Sequence, residues 1–582
     1  MCLVEANIAK MRRIFLNDSF DYICANIKNM NLKYGTTLFL LSTISLFIIS
    51  SCKQDLTHFT ELSDEAGIDF MYNFGDYTYE NILESSGSGI TVFDYDGDGW
   101  MDLYMMNGTW LEGISDEEGK VFANTPNKLY HNLGDGTFVE LAEQAGVDDR
   151  HWSMAAGPVD IDLDGDQDLY LLNYGPNIYY MNNGDGTFSD RTEELGLAGP
   201  DSLNGFEKWS VGVSFWDYNQ DGRLDAFVGN FLAFDPEYVS PTTPELMPHP
   251  SEYKGQASMM YLQQSDGTFK DFTAELGLLY PDSKCMGLTV YDYDQDGDLD
   301  VFQGNDHQAN FMFRNMGDSF SEVGVEIGVA VNSHGQTTGS MHGALGDVDG
   351  DGLIDLLVPD LRYGALYRNL GNGTFEDITE QSGISAAFAG KGQWASALFD
   401  YDNDGDPDLF SANGNGDELI LQYPLLMEND GKGSFTDIGS SDSPYFREKR
   451  SGRSAATWDY DNDGDLDIIV SHVDLKANAV LLRNNCDNQN HWMGLSLEGK
   501  HGPAAAIGAT VIIHQGDKKS VFINQWTTTY LTNSDPRLHI GLGDNPEIDS
   551  LEINWSDGAR EIYPGPSPDR YSTFRQGHGI VD

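Results

Sequence analysis

Residues 459–467 read DYDNDGDLD, a nine-residue stretch that decides the fold of the chain. The underlying pattern, Asp-x-Asp/Asn-x-Asp-Gly-x-x-Asp, occurs seven times in 582 residues, at start-to-start intervals of 53 to 75 residues. A pattern that recurs along a chain in this way is the sequence signature of a repeat architecture. We number the copies loop 1 to loop 7 and their residues positions 1 to 9. The loops begin at Asp94, Asp160, Asp217, Asp292, Asp347, Asp400 and Asp459.

Each copy lies in the same local context, which predicts four antiparallel strands per repeat. In the first repeat, the small and apolar run 87–93 precedes loop 1, and the apolar run 102–107 follows it. The β-prone segments 127–132 and 137–141 come next, joined by an Asp-Gly turn of the kind found in hairpins. Four strands per repeat are typical of a propeller blade. The sequence therefore predicts an all-β propeller.

A second pattern predicts how the ring of blades closes. A phenylalanine, an acidic residue and a short polar stretch mark an outer strand after each of loops 1 to 6, but none follows loop 7. The N-terminal segment at Phe59 has the same pattern, so we expect its strand to complete the last blade. This gives a seven-bladed propeller over residues 58–484 without an exposed sheet edge, and residues 485–582 predict a small β domain. The other outer-strand residues are Phe138, Phe188, Phe269, Phe320, Phe375 and Phe435.

The spacing within each loop is that of an EF-hand-like calcium loop. Side-chain oxygens at positions 1, 3 and 5, a backbone carbonyl at position 7 and a glycine at position 6 surround one hard cation. Here the fourth carboxylate lies at position 9 rather than 12, so the loop joins two strands instead of opening a helix. Oxygen-only ligands favour calcium or magnesium over zinc, and flexible loops with several carboxylates favour calcium. We expect up to seven structural Ca2+ ions; the alternative is that some loops are Asp-rich turns that bind no ion.

The predicted ligands are the side chains at positions 1, 3, 5 and 9 and the backbone carbonyl at position 7. Because they fill the coordination shell of each ion, a catalytic role for the metal is not expected. Loop by loop they are Asp94, Asp96, Asp98, Trp100 and Asp102; Asp160, Asp162, Asp164, Asp166 and Asp168; Asp217, Asn219, Asp221, Arg223 and Asp225; Asp292, Asp294, Asp296, Asp298 and Asp300; Asp347, Asp349, Asp351, Leu353 and Asp355; Asp400, Asp402, Asp404, Asp406 and Asp408; Asp459, Asp461, Asp463, Asp465 and Asp467.

These loops resemble FG-GAP/VCBS repeats, the integrin-α-type calcium propeller, over about residues 58–484. The tail, with NHWMGLSLEGK at 490–500 and YLTNSDPRLHIGLGD at 530–544, resembles the ASPIC/UnbV domain. The combination is similar to the cartilage acidic protein family and its bacterial lipoprotein members. The resemblance implies a calcium-loaded propeller followed by a small β domain, and it implies no particular substrate.

The charge of the chain excludes some partners. The chain has 33 Lys plus Arg and 93 Asp plus Glu, a formal charge of −60, yet it is 40% hydrophobic and 12% aromatic. That composition belongs to a folded protein rather than to a disordered acidic tail. Nucleic acid is not an expected partner because phosphate binding needs clustered Lys and Arg. An anionic membrane surface would also repel the chain, so we expect membrane attachment only through an anchor.

The N-terminus predicts export. The apolar run Tyr34–Ile49 follows Lys28 and Lys33 and is short for a membrane-spanning helix, as in a signal peptide. Ile49-Ser50-Ser51-Cys52 resembles a bacterial lipobox. We expect residues 1–51 to be a signal peptide, with 1–29 an over-extended start, Cys52 to be lipidated, and 52–57 to form a linker. The alternative is an uncleaved anchor. The protein is then exported and held in the outer membrane or at the cell surface.

A ring of basic residues suggests a ligand face. Counting nine residues back from position 1 of each loop reaches several cations at the predicted start of the innermost strands, opposite the metal loops. They could form an anion-accepting funnel at the mouth of the channel, or they could pair locally with acidic residues. They are His151, Lys208, Lys391 and Arg450, with Lys284 one residue out of register.

Two further features lie on the same predicted face. Thirteen residues after position 1 of each loop lies a polar residue that either faces a ligand or caps a turn. The insertion 231–257 contains prolines, aromatic residues and a histidine, which suggests a structured recognition loop. The seven polar residues are Asn107, Asn173, Asn230, Asn305, Asp360, Asn413 and His472.

Three functions are compatible with the sequence. The leading interpretation is a surface-exposed binding or adhesion protein for an acidic glycan or a protein ligand. The chain contains no GxSxG elbow, HExxH helix or Walker loop, which makes an enzyme the less favoured reading. The alternatives are a glycan lyase that uses His151, Lys208 or Arg450, and a scaffold subunit of an outer-membrane uptake complex.

Overall fold

The computed structural model describes residues 58–581, except for residues 362, 417, 476 and 487. The predicted signal peptide, the lipidated Cys52 and the linker therefore lie outside the described residues. Within the described part, no helix is long and apolar enough to cross a membrane. The regular structure of the described residues consists mainly of β-strands with a few short helices, and the all-β prediction is confirmed.

The first three blades follow one another along the chain, with a short hairpin before the third. After β1 (Phe59–Glu61), blade 1 consists of β2 (Ile90–Phe93), β3 (Asp102–Met105), β4 (Lys128–Asn132) and β5 (Phe138–Glu140). Blade 2 consists of β6 (Trp152–Val159), β7 (Asp168–Tyr174), β8 (Ile178–Asn182) and β9 (Phe188–Asp190). The hairpin β10 (Ser202–Leu203) and β11 (Phe206–Glu207) precedes blade 3, which consists of β12 (Ser210–Trp216), β13 (Asp225–Asn230), β14 (Met259–Gln263) and β15 (Phe269–Asp271).

The remaining blades repeat this order. Blade 4 consists of β16 (Cys285–Tyr291), β17 (Asp300–Gln308), β18 (Phe311–Asn315) and β19 (Phe320–Glu322), and β20 (Thr338–Gly339) pairs with β17. Blade 5 consists of β21 (Ala344–Gly346), β22 (Asp355–Val358), β23 (Ala365–Asn369) and β24 (Phe375–Asp377). Blade 6 consists of β25 (Gln393–Phe399), β26 (Asp408–Asn413), β27 (Leu425–Asn429) and β28 (Phe435–Asp437). Blade 7 consists of β29 (Gly452–Trp458), β30 (Asp467–His472), β31 (Val480–Asn484) and β1.

The blades form a closed ring. Strand β1 runs antiparallel to β31, with Phe59 opposite Asn484, so the N-terminal strand lies in the sheet of the last repeat. The innermost strands of neighbouring blades contact one another from blade 1 to blade 4 and from blade 5 to blade 7, and β29 of blade 7 contacts β2 of blade 1. Between blades 4 and 5, Thr289 Oγ1 donates to the Gly343 carbonyl at 2.8 Å. Apolar side chains of neighbouring sheets pack together between the blades, and the innermost strands are therefore buried almost throughout.

Short helices connect the blades. Four of them follow an outer strand and end at a glycine with φ between 77° and 94°, a left-handed conformation that closes the helix. They are Ser63–Ala66, Ala142–Ala145, Thr192–Leu195 and Gly324–Ile327. The other α-helices are Ile82–Ser85 and Ile384–Phe388. The 3-10 helices are Glu117–Phe122, Pro250–Glu252, Gly439–Ser441, Pro444–Arg447 and Pro503–Ala506.

The C-terminal segment forms two four-stranded sheets around its own apolar core. Leu495, Val511, Ile540 and Leu551 are buried in that core. One sheet has the order β37-β32-β40-β41 and the other β34-β33-β38-β39. Its strands are β32 (His491–Glu498), β33 (Thr510–Gln515), β34 (Lys518–Ile523), β35 (Thr527–Thr529), β36 (Thr532–Asn533), β37 (Leu538–Gly543), β38 (Ser550–Asn554), β39 (Arg560–Pro564), β40 (Tyr571–Arg575) and β41 (Gly579–Ile580).

One hairpin of the C-terminal segment enters the centre of the propeller. Strand β36 runs parallel to β2 of blade 1, with Thr532 opposite Ile90. The Tyr530 ring is fully buried and lies 5.0 Å from the Trp394 ring of blade 6. Asn533 Nδ2 donates to the Ala156 carbonyl of blade 2 at 2.6 Å. The C-terminal segment is therefore anchored in the central channel, which the sequence did not indicate.

Candidate functional site

All seven loops share one internal geometry at position 1. The position 6 glycine donates its backbone N–H to the position 1 carboxylate at 2.8 to 3.1 Å in every loop. These glycines have φ between 88° and 102°, where a side chain would strain the backbone. The sharp turn that the sequence predicts at position 6 is therefore present in each loop, and it holds the first carboxylate in place.

Position 9 is held by the third strand of the same blade. The last residue of that strand donates its backbone N–H to the position 9 aspartate at 2.7 to 2.9 Å in all seven blades. In six blades, the side-chain amide of this residue also donates to a carbonyl in the preceding blade's loop. The residues are Asn132, Asn182, Gln263, Asn315, Asn369, Asn429 and Asn484. The exception is Asn315, whose backbone N–H donates to Asp300 but whose side-chain amide donates to the Leu299 carbonyl in its own loop.

In six blades this amide connects the metal loop of the preceding blade to the blade that follows it. In blade 2, Asn182 Nδ2 donates to the Tyr95 carbonyl of loop 1 at 2.7 Å. In blade 7, Asn484 Nδ2 donates to the Tyr401 carbonyl of loop 6 at 2.6 Å. Sequence reasoning missed these residues, although the signal was available as a recurrent Asn at the end of each third strand.

The donor set fits a hard cation. Carboxylate oxygens from three side chains lie within 4.8 Å of one another in loops 1, 2, 4 and 5, among other clusters. Several of the ligand carboxylates carry a buried oxygen with no hydrogen-bond partner, an arrangement that is costly unless a cation compensates it. Those atoms are Asp160 Oδ1, Asp225 Oδ2, Asp294 Oδ1, Asp349 Oδ1 and Asp461 Oδ1.

Burial makes the position 9 carboxylates particularly hard to ionise without a cation. Burial, together with neighbouring aspartates, raises the pKa of Asp225 to about 8 and that of Asp300 to about 9. The same causes raise the pKa of Asp408 to about 10. A bound cation favours the ionised carboxylates instead. The side chains thus suit calcium, and the position 7 carbonyl ligands remain a prediction.

The C-terminal segment packs on the metal-loop face, and loop 7 is one of its main contacts. Tyr571 Oη donates to Asp459 Oδ2 at 2.8 Å, and Arg537 Nη2 donates to the Asp459 carbonyl at 3.0 Å. Trp492 covers Gly464 so closely that a Cβ atom there would lie 1.9 Å from the indole ring. Position 1 and position 6 of loop 7 are therefore both in contact with this segment.

Loop 6 makes the second large contact. His539 Nε2 lies 2.6 Å from Asn403 Oδ1, and Gly543 N donates to the Asn403 carbonyl at 2.8 Å. Asn490 Nδ2 donates to the Asp402 carbonyl at 2.9 Å. These bonds depend on the backbone shape of the loop, which is the feature that a bound ion would fix.

Loop 1 is open by contrast. Residues 96–99 are exposed, and a Cβ atom on Gly97 or Gly99 would meet no atom within 4 Å. The His131 side chain approaches the loop from the third strand, with Nδ1 3.1 Å from Asp102 Oδ1 and 3.6 Å from Asp96 Oδ2. The loops are thus alike internally and different in what surrounds them.

The predicted basic ring does not form a shared anion site. Lys208 is 1% exposed, and its Nζ donates to the Ala198 carbonyl at 2.5 Å. Lys284 is 4% exposed and donates to the Pro250 carbonyl at 2.8 Å. Burial lowers the pKa of Lys208 to about 7. These ammonium groups are directed into the protein because the chain folds over them, so they are not available at a channel mouth.

The other three cations of the ring are also bound by neighbouring groups of the protein. Lys391 Nζ donates to the Ala387 carbonyl. His151 Nδ1 lies 2.8 Å from Asp149 Oδ1. Arg450 Nη2 lies 3.2 Å from Glu448 Oε2 and 3.5 Å from Glu61 Oε2. Local pairing, the alternative reading, describes His151 and Arg450.

The polar residues thirteen positions after each first aspartate close turns. Asn173 Nδ2 donates to the Pro176 carbonyl at 2.9 Å, and Asn305 Nδ2 donates to the Ala309 carbonyl at 2.9 Å. Four others act on the connection that follows them: Asn230, Asp360, Asn413 and His472. Asn107 instead accepts hydrogen bonds from Asn73 in the segment before blade 1. The turn-capping alternative therefore accounts for six of the seven residues. The insertion 231–257 is structured, as expected, with Phe231, Leu232 and Phe234 buried.

Comparison with known families gives two matches. Residues 499–581 match the ASPIC and UnbV family. FG-GAP-like repeats match residues 160–228, 253–303, 292–358, 347–411 and 400–470. The resemblance that the loop and tail motifs indicate is confirmed.

Similar proteins of known name and structure were also found. Human cartilage acidic protein 1 is 25% identical over 487 residues, which cover 82% of this chain and 60% of the human protein. The Xenopus tropicalis protein of the same name is 29% identical over 306 residues, covering 49% of this chain and 43% of that protein. The chain thus spans less than two thirds of these relatives. The extracellular domain of a putative one-component system from B. thetaiotaomicron is 12% identical with a TM-score of 0.38, covering 85% of this chain and 52% of that chain.

Proposed function

We propose that this chain, which carries FG-GAP-like repeats followed by an ASPIC and UnbV domain, is an exported calcium-binding protein whose propeller presents a surface to a protein partner. The combination of domains is that of a surface or adhesion-type protein. The observation that supports calcium most strongly is the buried, unpartnered carboxylate oxygen in loops of identical geometry. The ions are structural, because each one joins two strands and offsets repulsion between aspartates.

The face opposite the metal loops is the proposed partner surface. The C-terminal segment packs on the loop face, whereas the connections between second and third strands lie on the other side. Three of these connections expose apolar side chains. Val121 is 70% exposed, Val239 is 60% exposed and Ile420 is 47% exposed. In blade 6 the exposed residues are consecutive, since Leu419 and Leu421 beside Ile420 are 40% and 38% exposed, and a contiguous apolar patch favours a protein partner.

An acidic glycan ligand and a lyase activity receive less support. Both would use the cations of the basic ring at one site, and a lyase needs a base and a substrate-binding group within hydrogen-bond reach. The Lys208 ammonium is instead buried against a backbone carbonyl. The scaffold alternative shares the apolar loop tips with the binding proposal and differs only in the partner.

Calcium binding is tested by equilibrium dialysis of the full mature protein at millimolar Ca2+, followed by metal analysis. We expect up to seven Ca2+ per chain and a stoichiometry that falls by one when Asp160 and Asp164 are replaced by Asn together. The matched control is Asp185→Asn with Asp266→Asn, which removes the same charge from hairpin turns outside the loops. A stoichiometry near zero in the wild type would contradict the proposal.

The partner surface is tested on immobilised extracellular proteins. Ile420→Asp with Val239→Asp should reduce binding of the purified protein at least about tenfold, since a charge removes apolar contact. Val325→Asp is the control because Val325 is 73% exposed in a helix between outer and inner strands. Equal binding by the wild type and these variants would refute the apolar surface.

Lipidation at Cys52 is tested separately, by the incorporation of labelled fatty acid into the wild type and into Cys52→Ala, which should incorporate none.

A further inference from the structure

One position near the end of each third strand differs from blade to blade, and its side chain contacts the metal loop in blades 1, 4, 5 and 7. It is the fourth residue of the third strand, immediately before the Asn or Gln that holds position 9. We call it the flanking residue. In blades 1 to 7 it is His131, Met181, Leu262, Arg314, Arg368, Glu428 and Arg483. Because the loops share one backbone geometry, the sites differ mainly at this residue and at positions 3 and 7 of the loop.

In blades 4, 5 and 7 the flanking arginine contacts the position 3 aspartate. The same aspartate keeps its other oxygen, Oδ1, buried and without a hydrogen-bond partner in all three loops. One carboxylate therefore stands between a guanidinium and the predicted ion. The contacts are Arg314 Nε to Asp294 Oδ2 at 3.3 Å, Arg368 Nη1 to Asp349 Oδ2 at 3.7 Å and Arg483 Nη2 to Asp461 Oδ2 at 2.8 Å.

Loop 6 has the opposite environment. All five of its odd positions are aspartates, and its flanking residue is Glu428, which gives six formal negative charges. Glu428 is exposed on the third strand, and Lys518 of the C-terminal segment also lies beside the loop, because a Cβ atom on Gly405 would lie 3.5 Å from its Nζ. Loop 2 has five aspartates at the odd positions and the uncharged Met181 beside them.

Loop 3 is the least negative site. It has Asn219 at position 3, so three aspartates remain at the odd positions, and Arg223 at position 7 offsets one of them. The Arg223 guanidinium contacts the Asp221 carboxylate within the loop. Loop 5 comes next, because it has four aspartates and the flanking Arg368. Counted over the odd positions and the flanking residue, the sites span formal charges from −2 in loop 3 to −6 in loop 6. Lys518 beside loop 6 and Lys519 beside loop 5 each offset one of these charges, which leaves the order of the loops unchanged.

We propose that the flanking residue, together with the charges at positions 3 and 7, sets the calcium affinity of its loop, so that the seven loops fill in order of charge. Loops 6 and 2 fill first, loops 1, 4 and 7 follow, and loops 5 and 3 fill last. The guanidinium repels the ion at short range and competes for a ligand carboxylate, whereas Glu428 attracts the ion. This inference rests on the proposed calcium function, and it assigns to the loop of each blade its own range of calcium concentration over which the loop fills.

The arginines have a second effect in the absence of calcium. A guanidinium beside the position 3 aspartate offsets part of the repulsion among the loop carboxylates. Blades 4, 5 and 7 should therefore keep their loops closed once calcium has been removed completely, whereas the emptied loop 6 should open more widely than they do. Tight binding and strong dependence on calcium then coincide in the same blade.

The test is a calcium titration of the full mature protein, read loop by loop through hydrogen exchange of the loop peptides. Arg483→Gln should shift the loop 7 midpoint to at least about tenfold lower Ca2+, because one nearby positive charge is lost. Arg483→Lys should keep the wild-type midpoint, since it keeps the charge. Glu428→Gln should shift the loop 6 midpoint about tenfold higher. Arg191→Gln is the control, because Arg191 pairs with Glu194 on a surface helix away from the loops.

The outcomes separate this inference from the proposed function. A loop 7 midpoint that stays fixed or moves to higher Ca2+ in Arg483→Gln overturns the inference, since the arginine would then position the ligand rather than repel the ion. Equal shifts in Arg483→Lys and Arg483→Gln overturn it as well. If no loop of the wild type responds to calcium, the proposed calcium function falls together with the inference.

Discussion

Loop 1 and loop 7 have the same nine-residue geometry and opposite surroundings. Gly99 of loop 1 has no atom within 4 Å of a Cβ position, whereas Gly464 of loop 7 lies under the Trp492 ring. The position 1 carboxylate of loop 7 also accepts a hydrogen bond from Tyr571. The repeat therefore determines the shape of each loop, and the C-terminal segment gives some loops a second role as its docking platform.

Removal of calcium should produce the largest difference between the two loops. With a chelator, we expect the melting temperature to fall by more than about 15 °C, because each ion at 1,000-fold saturation contributes about 4 kcal/mol. Loop 7 and strands β32 and β40 should lose hydrogen-exchange protection together, whereas loop 1 should open alone. Scanning calorimetry and exchange mass spectrometry measure both effects.

A chelated protein that melts at the same temperature would contradict the structural role of the ions. A protein that loses protection in loop 7 while β32 and β40 remain protected would separate docking from calcium. Magnesium at the same concentration is the control for ionic strength.

Alanine at the two equivalent glycines sharpens the comparison. Gly99 has φ of 88° and Gly464 has φ of 91°, so the backbone strain of an alanine is equal. Gly99→Ala should cost about 1 kcal/mol of unfolding free energy, which is the strain alone. Gly464→Ala should cost about 3 kcal/mol, because the new methyl also displaces Trp492. Equal costs in urea denaturation would show that Trp492 does not press on loop 7.

The smallest expected effect comes from one hydroxyl. Tyr571→Phe removes the hydrogen bond to Asp459 Oδ2 and should cost about 1 kcal/mol. It should increase hydrogen exchange in loop 7 and leave loop 1 unchanged. Tyr563→Phe is the matched control, because Tyr563 donates to Glu561 within the C-terminal segment. An equal response of loop 7 to both variants would contradict the direct link.

Much of the propeller could be predicted because its signals are local. The position 6 glycine, the Asp-Gly hairpins and the outer-strand phenylalanines each act within a few residues, and each fourth strand begins at the expected phenylalanine. Closure by β1 could be predicted because the seventh repeat lacks an outer strand and the chain has one additional outer strand before the first repeat. The loops could be found for the same reason.

The environment of the sites depended on contacts between distant segments. Lys208 and Lys284 occur at the predicted offset, but the carbonyls of Ala198 and Pro250 bind them inside the fold. The docking of Trp492 on Gly464 joins residues from two different domains. No periodicity in the chain signals such contacts. The sequence therefore predicted cations at the channel mouth, whereas the structure buries these two lysines inside the fold.

Anomalous scattering from crystals grown in calcium is the most direct test of the central claim, that the repeated loops are ion sites of unequal strength. The account predicts a difference peak inside the loops, enclosed by positions 1, 3 and 5, with loops 6 and 2 occupied at the lowest calcium concentration and loop 3 at the highest. Loops without peaks at millimolar calcium, or peaks that appear in all loops at the same concentration, would contradict it.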